Sequence, residues 1–397
     1  MSQPILLLNC GSSSIKYQLL DPAQSGPQAV GIVQRIGQEM STIDHEVGDA
    51  EYHEDVRFAD HTEAVGAVVR MFAEHGPTLE NVVAVGHRTV HGGSTFVEST
   101  LIDDSVVAKL DELSDLAPLH NPPGIAGIRA AKAVLPNVPH VAVFDTAFFA
   151  TLPAEAYTYA IDAEVAATHG IRKYGFHGTS HHYVSKKTAE YLGRPLGELK
   201  TIVCHLGNGA SISAVDGGVA VETSMGLTPL QGLVMGTRSG DVDPGLPKYL
   251  SRSAGMSIDD VDELLNRRSG MGGLCGYTDM RDIKTQIEAG NEQAQLALDV
   301  YVHRLVGYIG SYIAILGGVD ALVFTAGVGE NAAHVRGPVI RRLAGLGFEL
   351  DEAANLVRSK EAREISTPES KVRVLVIPTN EELEMAQETL AIINGLG

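Results

Sequence analysis

The sequence predicts an α/β chain of two domains, and three observations carry that prediction. Its 397 residues exceed the roughly 250 to 300 at which a single hydrophobic core stops growing. Strand patterns alternate with helix patterns from one end to the other. The opening run ILLLNCGSSSIKYQLL reads as strand, Gly/Ser turn, strand, and TIVCHLGNGASISAVDGG repeats that pattern near position 200, which suggests a duplicated domain.

Between the two hairpins, Val65, Val68, Val69 and Phe72 fall on one helical face, and Gly76-Pro77 stops that helix. In NPPG, Asn121 supplies an N-cap and the prolines suit the first turn of a helix running to about Leu135. The strand HVAVFD then ends at Asp145, after which FFATLPAEAYTYAID breaks the rhythm and marks a domain boundary. Leu305 to Gly329 is the most membrane-like stretch. His303, Arg304 and Asp320 bound or interrupt it, so it reads as a buried helix followed by a buried strand, ALVFTA, leading to the turn Gly327 to Asn331. At the C-terminus VRVLVIP precedes a helix for which Thr379 and Glu382 form a capping box and Leu383, Ala386, Leu390 and Ile393 a buried stripe.

A formal charge of -19 argues against unspecific attraction to nucleic acid or anionic membrane, and any anionic substrate must be drawn in by a local basic pocket. The N-terminus lacks the features of a secretory signal, and three cysteines without paired spacing indicate neither a disulfide framework nor a zinc knuckle; the expected compartment is the reducing cytoplasm.

Phosphate binding needs backbone N–H groups converging on one point, and Gly/Ser turns after buried strands provide them. Three occur: NCGSSSIK from Asn9, HLGNGAS from His205 and AGVGENAA from Ala326. No GxxxxGK[ST] run is present. The third turn matches GxGxxA, with Glu349 at the offset of a dinucleotide-binding acid, but fewer than 70 residues and one convincing strand follow it, too little for such a fold.

The ordered motifs NCGSSSIKYQL, GHRTVHGG, APLHNPPG, VFDTAF, YGFHGTSH, CHLGNGASI, GTRSGDVDPG, TDMRDI, FTAGVGEN and PTNEE span the chain and resemble the acetate kinase family. The resemblance implies two duplicated ribonuclease H-like, actin-like ATPase domains with a nucleotide cleft between them. The expected bounds are 1–147 completed by the C-terminal helix 380–397, and 148–379. It also implies reversible transfer from Mg-ATP to acetate, yielding acetyl phosphate and ADP, with Mn²⁺ as the alternative ion, and a homodimer.

Carried over at matched positions, the resemblance gives Ser12, Ser14 and Lys16 to a first phosphate loop and His205, Leu206, Gly207, Asn208 and Gly209 to a second. It implies an adenosine site at Asp279, Met280 and Arg281 with Gly327, Val328, Gly329, Glu330 and Asn331, and a metal site at Asn9 and Glu381. Arg88, Asp145, His177 and Arg238 would be the reacting centre, and Val90, Leu119, His120, Phe176 and Pro229 would surround the carboxylate substrate. One departure is Phe149, where the family frequently has His.

The chemistry agrees with these roles. Acetate, with a carboxyl pKa near ~4, is ionised at neutral pH and needs no general base. Guanidinium groups stay protonated and grip carboxylate or phosphoryl oxygens through two N–H groups. Taken singly, Asp145 is a strand-end turn residue and each arginine a surface ion-pair partner. His177, His181 and His182 complete no zinc motif, and Cys10 and Cys204 read as small buried hydrophobes. Two alternatives stay open: a propionate or butyrate kinase, and a non-catalytic actin-like ATP-binding module.

Overall fold

The computed structural model describes residues 2–24, 26–117 and 120–395. The chain divides into two compact units, Met1–Ala150 with Asn380–Gly397, and Thr151–Thr379.

The first unit is built on β1 (Ile5–Cys10), β2 (Ser14–Leu20), β3 (Ala29–Gln34), β4 (Ser41–Val47), β5 (Ala50–Val56), β6 (Ala84–Thr89), β7 (Thr100–Leu101) and β8 (His140–Phe144). They form one sheet in the order β5-β4-β3-β2-β1-β6-β8-β7. The hairpin β1–β2 is antiparallel, whereas β1, β6 and β8 run parallel. Alternation along β1 sorts its side chains: Leu6 and Leu8 pack with Val65, Val68 and Phe72 of the helix His61–His75, and Ile5 and Leu7 pack with Met385 and Ala386 of the C-terminal helix Glu381–Asn394. Asp60 caps the first of these helices by accepting from the backbone of Thr62 and Glu63.

Two helix starts differ from expectation. The helix Asn121–Val134 begins with Asn121 as its first residue. The Asn121 amide faces His91 instead, accepting from its N–H at 3.2 Å and donating to its carbonyl at 3.1 Å, so it ties this helix to the segment after β6. The C-terminal helix is capped by Asn380, whose side chain accepts from Leu383 N–H at 2.9 Å. That shifts the third helical position from Glu382 to Leu383, which cannot close a capping box, and leaves the Thr379 hydroxyl to Ser180 at 2.8 Å.

The second unit repeats the hairpin-plus-parallel-strand plan with β9 (Lys200–Leu206), β10 (Ala210–Asp216), β11 (Val219–Thr223), β12 (Ala321–Thr325), β13 (Arg363–Glu364) and β14 (Arg373–Val376). Their order is β11-β10-β9-β12-β14-β13, with β9, β12 and β14 parallel. The 25-residue helix Glu292–Leu316 buries Ala297, Tyr301, Leu305 and Ile309 along one side, and β12 is buried throughout. No helix among the described residues is long and apolar enough to cross a membrane. Gly327 to Asn331, expected as an open turn, lies in a short helix, Ala326–Asn331, entered through Ala326 in the left-handed region at φ 63°.

Candidate active site

In the first unit the parallel pairing of β6 with β8 sets Arg88 beside the residue that follows β8, Asp145. Arg88 donates from Nε to Oδ1 at 3.1 Å and from Nη2 to Oδ2 at 2.6 Å, so both carboxylate oxygens are engaged. The buried Asp145 carboxylate strengthens the charged state of Arg88. A small cavity of about 50 Å³ is lined by Asn9, Lys16, Arg88 and Glu381, drawn from the first hairpin, β6 and the C-terminal helix. Asn9 and Lys16 meet because they are cross-strand partners in β1–β2. Burial pushes the Glu381 carboxyl up to about 7; Arg88 opposes that shift, while Asp145 and Glu382 reinforce it.

Ser12 is exposed at the hairpin tip and Ser14 opens β2; neither lines this cavity. Val90 directly follows β6, and His120 is exposed immediately before the helix Asn121–Val134. Leu119 lies outside the described residues. Phe149 is fully buried, with its ring edge-on to Phe148, so the position offers an apolar contact.

The second unit gathers a separate set. His177 sits at φ 59°, a left-handed conformation uncommon outside glycine, immediately before the helix Gly178–Leu192. Its Nδ1 meets Ser211 Oγ at 2.9 Å and its ring stacks on His205 with centroids 4.3 Å apart. Ser211 Oγ also meets His181 Nε2 at 2.7 Å, and His181 Nδ1 meets Ser213 Oγ at 2.7 Å. Burial, reinforced by His205, holds the His181 ring well below its usual pKa, in the neutral form. His205 Nδ1 in turn meets Ser180 Oγ at 2.7 Å.

Arg238 converges on the same loop. A Cβ built on Gly209 would lie 3.5 Å from Arg238 Nη1 and 3.6 Å from His177 Nε2, so both polar heads stand over this glycine. Arg238 donates to the Pro229 carbonyl at 3.0 Å and, among the described residues, has no carboxylate partner; burial lowers its pKa. Its loop is anchored by Asp241, which accepts from Gly232 N–H at 2.9 Å and from the Tyr308 hydroxyl at 2.6 Å, while Arg304 donates to the carbonyls of Gly232 and Asp241 at 2.9 and 3.2 Å. Phe176 is buried beside His177 in sequence.

A larger cavity, about 620 Å³, lies wholly within this unit. Gly207 and Asn208 line it from the loop after β9, Asp279, Met280 and Arg281 from the start of the helix Met280–Glu288, and Gly327, Val328 and Asn331 from the short helix Ala326–Asn331 after β12. Asp279 accepts from Arg281 N–H at 2.8 Å, and its bonds to Arg281 bring its carboxyl down to about 2. A Cβ on Gly236 would come within 2.0 Å of Asn208 Oδ1, so only glycine leaves that amide its place.

Other expected nucleotide residues stand behind this wall: Leu206 is buried, and Gly329 and Glu330 are held from below by Arg336. Arg336, 1% exposed, donates to their carbonyls at 2.8 and 2.9 Å and to the side chain and carbonyl of Asn355 at 2.9 and 2.7 Å. The motifs of the sequence contain neither Arg336 nor the lining residues Tyr301, His334 and Arg358. His334 could have been found by continuing the glycine turn into the helix Ala333–Arg342.

Burial pushes the Cys10 thiol up to about 12 and the Cys204 thiol up as well, which suits inert core residues.

Comparison with known proteins places this geometry. The profile of the acetokinase family matches residues 4–387. An acetate kinase of Clavibacter michiganensis is 55% identical over 98% of this chain and 99% of its own, and one of Leifsonia xyli is 55% identical over 98% of each. The crystal structure of Porphyromonas gingivalis acetate kinase superposes with a TM-score of 0.95 at 42% identity, covering 98% of this chain and all of that one. A propionate kinase from Francisella tularensis superposes at 0.92, also at 42% identity, covering 98% and 99%. The two sheets therefore have the actin-like ATPase fold, and the chain belongs to the acetokinase family.

Proposed function

We propose that this chain is an acetate kinase, transferring the γ-phosphoryl group of ATP to acetate and back by direct in-line attack. The observation that carries the reading is Arg238. It is a half-buried guanidinium with no carboxylate partner among the described residues, standing with His177 over the glycine of a phosphate-type loop. A cation so placed calls for an anionic ligand.

Arg238 and His177 are assigned to the equatorial oxygens of the transferring group, where charge accumulates, and Arg88 to the carboxylate substrate. Asp145 aligns Arg88; with both oxygens engaged by the guanidinium, it is given no role as a base. The 620 Å³ cavity takes adenosine, and the turns at Gly207 and Gly327 offer backbone N–H groups to the phosphates.

Asn9 and Glu381 fit a hard divalent ion, because an amide oxygen and a carboxylate line one small cavity and Glu381 lacks full neutralisation there. Mg²⁺, with Mn²⁺ as second choice, would supply neutralisation of phosphate charge. The family resemblance supports a cytoplasmic enzyme and a homodimer; light scattering on the purified chain tests the dimer.

The similarity to a propionate kinase at the same identity as an acetate kinase structure keeps chain length under test, since one methylene is worth only about 1 to 3 kcal/mol of discrimination. The deciding experiment supplies Mg-ATP with acetate, propionate or butyrate, follows ADP release and traps acyl phosphate as hydroxamate. Acetate-dependent hydroxamate is expected with the highest kcat/KM; folded protein without any carboxylate-dependent signal would overturn the reading.

A further inference from the structure

His177 and His181 are spaced one helical turn apart at the start of the helix Gly178–Leu192, where the His181 N–H donates to the His177 carbonyl at 3.0 Å. Ser211 and Ser213 are two residues apart on β10, so they point to one side of the strand. Four residues of helix advance about 6 Å and two of strand about 6.6 Å, so the two rows keep step. The side chains alternate as a result. Ser213 Oγ meets His181 Nδ1 at 2.7 Å, His181 Nε2 meets Ser211 Oγ at 2.7 Å, and Ser211 Oγ meets His177 Nδ1 at 2.9 Å. His181, Ser211 and Ser213 are all buried.

A hydroxyl has one hydrogen and a neutral imidazole one N–H. Ser211, set between two ring nitrogens, donates to one of them and must accept from the other. His181 has a hydroxyl at each nitrogen, and burial keeps its ring neutral, so it too donates at one end and accepts at the other. With His177 also neutral, the hydrogens all run one way along the series, either from Ser213 toward His177 or back.

The outer end fixes the direction. His177 Nε2 and Arg238 Nη1 stand 3.6 and 3.5 Å from the same Cβ position over Gly209. The guanidinium opposes a second positive charge beside it, which leaves the His177 ring neutral. A neutral ring serves an anion there only with its hydrogen on Nε2, because a bare Nε2 would set a lone pair against the oxygen. Nδ1 then accepts from Ser211, Ser211 accepts from His181 Nε2–H, and His181 Nδ1 accepts from Ser213.

We propose that Ser213, His181 and Ser211 are positioning residues whose one-way series of hydrogen bonds holds His177 as the Nε2–H tautomer, with that N–H aimed at the transferring phosphoryl group. This inference rests on the assignment of His177 to the phosphoryl oxygens, but the series itself belongs to the nucleotide-free protein.

Nitrogen-15 correlation spectra of the histidine side chains in nucleotide-free protein at neutral pH read the tautomers directly. The His177 signals are those lost in His177→Asn, a side chain that tolerates the left-handed backbone, and the His181 signals are those displaced in Ser213→Ala. Both rings are expected to carry hydrogen on Nε2 and none on Nδ1. Hydrogen on Nδ1 of either ring would overturn the proposal.

Kinetics then separate positioning from packing. Ser211→Ala should lower kcat about tenfold, with KM for ATP and acetate within about twofold. Ser213→Ala, one link further out, should lower kcat about threefold. Because Ser213 acts through Ser211, the double variant should be no slower than Ser211→Ala; losses that multiply, or a wild-type kcat in Ser213→Ala, would also overturn the proposal. If wild type shows no carboxylate-dependent turnover, the kinase reading falls while the spectra still test the series.

Discussion

Arg88 and Arg238 are both proposed to handle anions, yet they stand in different electrostatic surroundings. Truncating Arg88 leaves the buried Asp145 carboxylate uncompensated, whereas truncating Arg238 strands no acid among the described residues. Arg238→Ala should lower kcat about 10³-fold or more with little change in Tm. Arg88→Ala should lower both, costing about 3 to 5 kcal/mol of stability, and thermal melts beside steady-state kinetics separate the two cases.

Glu381 gives a pH-dependent contrast. Its native carboxyl, raised to about 7 from 4.5, binds a proton more tightly than the unfolded chain does. Its favourable contribution is present below pH 4.5 and is lost as pH rises toward 7. In metal-free, nucleotide-free protein, Glu381→Gln should therefore raise stability at pH 8 by about 1 to 2 kcal/mol, after allowance for partial exposure, and change it little at pH 4.5. Denaturant titrations at the two pH values measure this.

Such contrasts mark how far the sequence was legible at residue scale. Arg88 and Asp145 could be paired through their motifs, and ten of the cavity-lining residues sit within TDMRDI and the Gly-rich turns. Arg336 could not, because a buried arginine satisfied by carbonyls leaves no charge pattern in the chain. The caps at Asn121 and Thr379 were misread because local capping rules do not know that His91 and Ser180 compete for those side chains.

Among elements, the hairpins and the strand-helix alternation are readable because burial imposes a period of two on strands and 3.6 on helices. The Met225–Asp241 loop has no period, and its shape depends on Tyr308 and Arg304, some 70 residues away in sequence. Tyr308→Phe deletes one hydroxyl from this anchor and preserves the ring. It should lower kcat/KM for acetate about fivefold by loosening the support of Arg238, while KM for ATP stays within about twofold. Equal losses on both substrates would instead indicate general destabilisation.

For the whole molecule, the two units differ in continuity. Thr151–Thr379 is one uninterrupted segment and contains the entire 620 Å³ cavity, so expressed alone it should fold cooperatively and bind ADP without forming acetyl phosphate. Circular dichroism melts with and without ADP check this; an unfolded fragment would show that the segment depends on the rest of the chain. Removing residues 380–397 should instead uncover Ile5, Leu7, Val141 and Val143 in the first unit.

That discontinuity also governs the order of events during synthesis. Nearly all of the first unit is made early, but the sheet face bearing Ile5, Leu7, Val141 and Val143 packs against Glu381–Asn394. At about 5 to 20 residues per second, the ribosome takes roughly 10 to 50 s to travel from β8 to that helix. Through that interval the nascent chain carries an uncovered apolar surface, making the unit translated first the last to be completed.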